Sequence, residues 1–167
     1  MLVKVTLSLY VDDETCLDID VINQNVEKYK GGLVSAYHNG ILSIIEFESA
    51  EPSLEIEDEL QGQVPDICFQ ALPELFEKQS VIFGNWAYGG HIEIQLIDKY
   101  VHFSGTHIPK TRFSKVSLLP ALYECGMKYL YLLHRLNEHN GNFTKRIEII
   151  ENKAQLAKKT LESQNLI

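Results

Sequence analysis

VIFGNWAYGGHIEIQLIDKYVHFS, residues 81–104, holds the one Trp of the chain and decides the reading of the fold. Ile92, Ile94 and Leu96 alternate with Glu93 and Gln95, the period-2 pattern of a half-buried strand. Gly89-Gly90 suits a two-residue hairpin turn, and Asp98-Lys99 marks a second turn. The stretch is therefore expected to form the central meander of an antiparallel sheet.

Upstream, Leu2 to Tyr10 alternates cleanly, with Val3, Val5, Leu7 and Leu9 on one face of a predicted first strand. Val11 to Glu14 is a polar turn, and Cys16 to Tyr29 reads as a short extended segment running into a helix that Gly31-Gly32 ends. Asn39-Gly40, between apolar runs at 33–38 and 41–48, predicts a type I′ hairpin. Leu54, Ile56 and Leu60 pin the acidic stretch SLEIEDELQGQ to the body as a strand or loop. Pro65 and Asp66 then open a helix that Pro73 must kink or restart.

Downstream, residues 105–112 read as a connection, and two helices finish the chain. The first is predicted to start at Ser117 as N-cap, with Pro120 in its first turn and Leu119, Tyr123, Met127, Leu130, Leu133 and Leu136 on one side. His139-Asn140-Gly141 breaks it. In the second, Phe143, Ile147, Ile150, Ala154, Ala157 and Leu161 form a narrow apolar stripe. The expected architecture is one α+β domain over residues 1–167. It is an antiparallel sheet of about five or six strands, built from meander and hairpins and packed by the C-terminal helices.

With 45% apolar and 23% charged residues in 167, the composition is that of an ordinary globular domain. No apolar run approaches the roughly 20 residues a membrane helix needs, so no membrane partner is expected. The first residues, MLVKVTLSLYVDDE, lack the basic cluster and apolar core of a secretory signal, and the expected location is the cytoplasm. Cys16, Cys68 and Cys125 are odd in number, far apart and free of CxxC spacing, which points to buried reduced thiols.

The net charge of −8 conceals a polarity. Residues 1–98 carry 18 acids against 4 bases, whereas residues 99–167 carry 5 acids against 11 bases. Between Lys30 and Lys78 there is no base, which argues against nucleic acid as a partner of that region.

No P-loop, GxGxxG, GxSxG elbow or catalytic-cysteine signature occurs, and the six histidines show no metal-ligand spacing, so neither cofactor nor metal is expected. His91, His102 and His107, near the meander, are the candidates for an alternative reading as a small metal-free enzyme working by proton transfer. A third possibility is a subunit that pairs through the Phe143 to Leu161 stripe.

The sharper feature is the base-free carboxylate band Glu48, Glu51, Glu55, Glu57, Asp58 and Glu59. As a solvated loop it aids solubility; as a docking surface its negative field speeds encounter with a basic protein. Trp86, Tyr88 and Tyr100 are the candidate aromatic anchors, with core packing the competing role for Trp86.

In its acidity, its α+β pattern, this band and the segment GNWAYGGHIEI at 84–94, the chain resembles the immunity proteins of bacterial polymorphic-toxin systems, including contact-dependent growth inhibition. The resemblance implies a non-enzymatic, stoichiometric inhibitor that binds a cognate toxin domain, commonly a nuclease, in the cytoplasm and occludes its active site or substrate approach.

Overall fold

The computed structural model describes residues 2–34, 38–46, 53–85, 87 and 89–167. They form an α+β fold with the C-terminal helices on the sheets, as predicted. The strands, however, divide into two antiparallel four-stranded sheets rather than one of five or six.

The first sheet has the order β2-β1-β3-β4. In β1 (Val3–Tyr10), Val3, Val5, Leu7 and Leu9 point into the core. β1 pairs with β2 (Cys16–Asp18) and with β3 (Asn39–Glu46), where Val5 stands opposite Ile44. β4 (Leu54–Glu59) is the outer strand, with Leu42 opposite its Ile56. Between β2 and β3 lie α1 (Ile19–Gln24), capped by the Asp18 carboxylate on the Asp20 N–H at 2.8 Å, and α2 (Val26–Leu33).

Two expectations fail here for one reason. α2 continues through Gly31 and Gly32 to Leu33, and Asn39-Gly40 starts β3 instead of turning a hairpin. Both Gly32 and Gly40 serve close approach: a Cβ would stand 2.0 Å from the Val11 carbonyl oxygen at 32 and 2.1 Å from that of Ser8 at 40. Leu33, expected in a strand, closes α2, and residues 35–37 lie outside the described residues.

After β4 come α3 (Leu60–Val64), a π-helical segment (Pro65–Gln70) and α4 (Ala71–Lys78). Pro73 is the third residue of α4, so it lies in the first turn of a second helix, the restart that is one of the two outcomes expected for it. The π segment packs against both C-terminal helices.

The second sheet runs β5 (Ser80–Gly84), β6 (His91–Ile97), β7 (Tyr100–Gly105), β8 (Ile108–Ser114) in chain order. The turn at Asp98-Lys99 is as predicted, with Asp98 at φ 54°. The β5–β6 link is a six-residue loop over 85–90 rather than a two-residue turn, with Gly89 at φ 71° and Gly90 at φ 84° closing it. Trp86 and Tyr88 in that loop lie outside the described residues. The expected connection at 105–112 holds most of β8, which escapes notice because Phe113 is its one fully buried side chain and Pro109 disguises the alternation.

α5 (Lys115–Asn140) begins two residues before the expected cap, so Pro120 lies at its sixth position and leaves the Val116 carbonyl without a ladder bond. Leu119, Leu130, Leu133 and Leu136 are buried as predicted, whereas Met127 faces outward. Gly141, at φ 66°, ends the helix. α6 (Thr144–Ser163) buries Ile147, Ile150, Ala154, Ala157 and Leu161, and Phe143 just before it, as its stripe requires. One contiguous apolar cluster takes side chains from both sheets and both long helices.

His38 is a core residue that the sequence does not reveal. Its ring lies 2.9 Å from the Tyr129 hydroxyl and 2.8 Å from the Leu33 carbonyl oxygen. Only a nitrogen carrying its proton can satisfy that carbonyl, so Nε2 donates to Leu33 and Nδ1 accepts from Tyr129. Burial pushes the Tyr129 hydroxyl well above its ordinary pKa, keeping it a donor.

Paired glycine substitutions separate the two environments. Gly31 has no atom near its absent Cβ, so Gly31→Ala is expected to raise stability by up to about 1 kcal/mol through helix propensity. Gly40→Ala, which must push the Ser8 backbone aside, is expected to lower it by about 1–3 kcal/mol. Urea denaturation midpoints check both.

Candidate functional site

β4 has a neighbour on one side only within its sheet, and its sequence LEIEDE puts opposite chemistry on its two faces. Leu54 and Ile56 are buried, while Glu55 and Glu57 are exposed and Glu59 half-buried on the opposite, solvent-facing side. Across the ladder Glu55 stands opposite Ser43, whose hydroxyl donates to its Oε1 at 3.4 Å. Glu57 accepts from the Tyr10 hydroxyl, also at 3.4 Å.

Asp58, expected in the same acidic surface, is turned inward and only 1% exposed. The period-2 geometry of a strand dictates this, since 55, 57 and 59 cannot share a face with 58. Its Oδ1 accepts from the Glu59 and Ala87 backbone N–H groups, each at 2.7 Å, tying the edge of the first sheet to the loop between β5 and β6. Asp58 is thus a structural acceptor rather than a docking charge. Glu48 and Glu51 lie outside the described residues.

The tertiary structure adds acids that the linear band does not contain. Asp12 and Asp13, from the turn after β1, join Tyr10, Asn39, Glu57, Asp58 and Ala87 around a cavity of about 360 Å³. Asp12 is held below its usual pKa by the backbone N–H groups of Glu14 and Thr15. Cys16 lies across the ladder from Tyr10, half-buried rather than fully buried as expected. Burial, and then the charge of Glu57, pushes its thiol up. Cys68 and Cys125 are buried as expected, and the hydrogen bond between them, with desolvation, pushes the Cys68 thiol well up.

The three histidines of the alternative reading do not converge. His91 sits at the start of β6 with Nδ1 3.3 Å from the Thr106 hydroxyl. His102 stands opposite Gln95, four residues along β6, which at about 3.3 Å per residue places it roughly 13 Å from His91. His107, in a tight turn at φ 62°, lines a cavity of about 410 Å³ with Glu55, Glu57 and Asn85, on the acidic side. Tyr100, a candidate anchor, is on the second sheet with the Arg112 guanidinium 4.9 Å from its ring. Among the described residues no group of three or more His, Cys, Asp or Glu is placed to hold a metal ion, and no helix is long and apolar enough to cross a membrane.

No protein-family model, curated protein or solved structure matches the chain. The geometry alone defines the class: an α+β domain whose first sheet ends in an acidic outer strand.

Asp58→Ala is expected to cost about 1–3 kcal/mol by orphaning two backbone donors. Glu57→Gln on the open face should stay within about 0.5 kcal/mol of the parent. Thermal or urea unfolding of the two variants side by side measures the difference.

Proposed function

We propose that this chain is a cytoplasmic immunity protein that binds a basic toxin domain, such as a nuclease, and blocks its active site or the approach of its substrate. The observation that carries the reading is the outer strand β4, which is anchored by buried Leu54, Ile56 and Asp58 and so holds Glu55, Glu57 and Glu59 on its other, solvent-facing side. Carboxylates on a strand have a backbone that is already ordered, so only their side chains lose freedom on binding, which favours them over the same charges on a loop. Asp12 and Asp13 extend the negative surface, and the Tyr10 ring supplies an aromatic body at its centre. In this arrangement a row of carboxylates takes the place of substrate phosphates along a basic cleft.

The negative field of this row steers association. Capture from the native lysate, with elution at moderate salt, is expected to yield a single small basic protein that is lethal when expressed alone and harmless with this chain. Replacing Glu55, Glu57 and Glu59 together by Lys should slow association with that protein about 10- to 100-fold at low salt and flatten its salt dependence. Equal association rates for parent and variant, measured by stopped flow or surface plasmon resonance, would refute the assignment of this surface.

A further inference from the structure

Among the described residues four strands, β2, β4, β5 and β8, have a hydrogen-bonded neighbour on one side only. Three of them carry a device that discourages pairing with another chain. β2 is three residues long and ends in Asp18, β4 alternates Glu with its buried positions, and β8 holds Pro109, Lys110, Arg112 and a register slip against β7. β5 has none of these. Its sequence SVIFG is uncharged and free of Pro, its register against β6 is unbroken, and the surrounding segment 79–90, QSVIFGNWAYGG, contains no Asp, Glu, Lys or Arg. Ile82, at its centre, is an apolar side chain left 65% exposed.

The phase of the ladder shows which backbone groups of β5 face away from the sheet. The Leu96 N–H donates to the Gln79 carbonyl at 2.8 Å and the Asn85 N–H to the Gly90 carbonyl at 3.2 Å, one bond beyond each end of the strand. Both continue the register that sets Ser80 opposite Gln95 and Gly84 opposite His91. Hydrogen-bonded pairs in an antiparallel ladder alternate with unbonded ones. Val81 and Phe83 therefore turn their N–H and C=O groups toward β6, and Ser80, Ile82 and Gly84 turn theirs outward. Among the described residues nothing hydrogen-bonds to those outward groups. A Cβ at Gly84 would meet nothing within 4 Å, so this chain does not itself need the glycine for close approach, unlike Gly32 and Gly40. Glycine inside a strand often marks the approach of another backbone.

We propose that β5 is a self-association edge, which pairs antiparallel with β5 of a second copy of this chain about a two-fold axis at Ile82. In this register Ile82 faces Ile82 of the second copy, and Ser80 and Gly84 face each other across the seam. Every outward-turned residue then meets an outward-turned residue, and each such pair exchanges two N–H···O=C bonds. A shift by one residue would set outward groups against inward ones. Charge selects the occupant. A chain of net charge −8 repels its own copy at its acidic surfaces, and β5 is the one outer strand, among the described residues, where two copies meet without charges on the paired strands. A basic protein gains no such advantage there, because this edge offers it no carboxylate. Five paired residues bury less than the roughly 1,200 Å² of a stable interface, so the dimer is a weak one, with a Kd of about 10 µM to 1 mM. This edge is separate from the acidic strand and does not depend on the immunity reading.

The test is sedimentation velocity of the full chain from about 10 µM to about 1 mM, with amide NMR over the same range. The parent is expected to pass from monomer toward dimer, with concentration-dependent shifts or broadening centred on 80–84. Ile82→Lys and Ile82→Glu each set like charges face to face across the two-fold axis and should each weaken association about tenfold or more. An equimolar mixture of the two variants should recover it, because opposite charges then meet at the same place. Leu156→Lys, at a comparably exposed apolar position on α6, should associate like the parent. All of these positions are on the surface, and circular dichroism confirms that the variants fold. The proposal is overturned if the parent stays monomeric up to about 1 mM, if the concentration-dependent resonances lie away from β5, or if both Ile82 variants associate like the parent. It is equally overturned if their mixture associates no more than either alone, or if Leu156→Lys weakens association as much as Ile82→Lys.

Discussion

Two sheets that each expose one apolar face need a common cover, and α5 provides it. Its buried residues, from Leu118 through Leu122, Tyr129 and Leu133 to Leu136, meet β1 of the first sheet, β7 and β8 of the second, the π segment and α6. A fully buried Leu or Phe contributes about 1.5–3 kcal/mol, so this one helix anchors a large share of the core. It also imposes a polar requirement. Tyr129 brings a hydroxyl into the interior, and His38 is buried beside it to receive that hydroxyl and pass a second hydrogen bond to the end of α2. The cover works only because its one buried phenol is satisfied.

Once α5 holds the sheets' apolar faces inward, their opposite faces are left for solvent or ligands, and charge distinguishes them. The first sheet presents Glu55, Glu57 and Glu59 at its edge, and the second presents Lys110 and Arg112 together with Glu93. The polarity of the sequence is therefore not simply cancelled by folding. Some of it is: Lys128 pairs with Asp20 at 2.8 Å and Lys153 with Asp66 at 3.4 Å, joining the basic helices to the acidic half. These pairs are at least partly exposed and contribute little, on the order of 1 kcal/mol or less each. Among the described residues the acids of β4 and the bases of β8 form no ion pair with one another, although the two strands run close to each other. The edge at β4 is thus acidic, while the face that includes β8 mixes Lys110 and Arg112 with Glu93.

Asp58 shows how narrow the difference between a surface and a structural charge is. In the string Glu55, Glu57, Asp58, Glu59 the residues look interchangeable, yet strand alternation turns one of them inward to accept two backbone N–H groups. Gly32 and Gly40 make the same point for backbone signals. A glycine that reads as a helix stop or a turn is equally a place where another chain segment passes within van der Waals distance.

Local periodicity alone determined a good deal: the alternation of β1, the hairpin at Asp98-Lys99, the apolar stripe of α6 and the α+β class. Each is a pattern of neighbours along the chain, and burial of one face is enough to specify it. Only the tertiary structure decided the split into two sheets, the membership of β8, the conversion of Asn39-Gly40 from turn to strand, the inward rotation of Asp58, and the meeting of Asp12 and Asp13 with Glu57. Those depend on contacts between residues far apart in sequence. The physical reason is that a residue's own pattern specifies how much of it must be buried, whereas the partner that buries it, or that leaves its charge unpaired, is chosen by long-range packing.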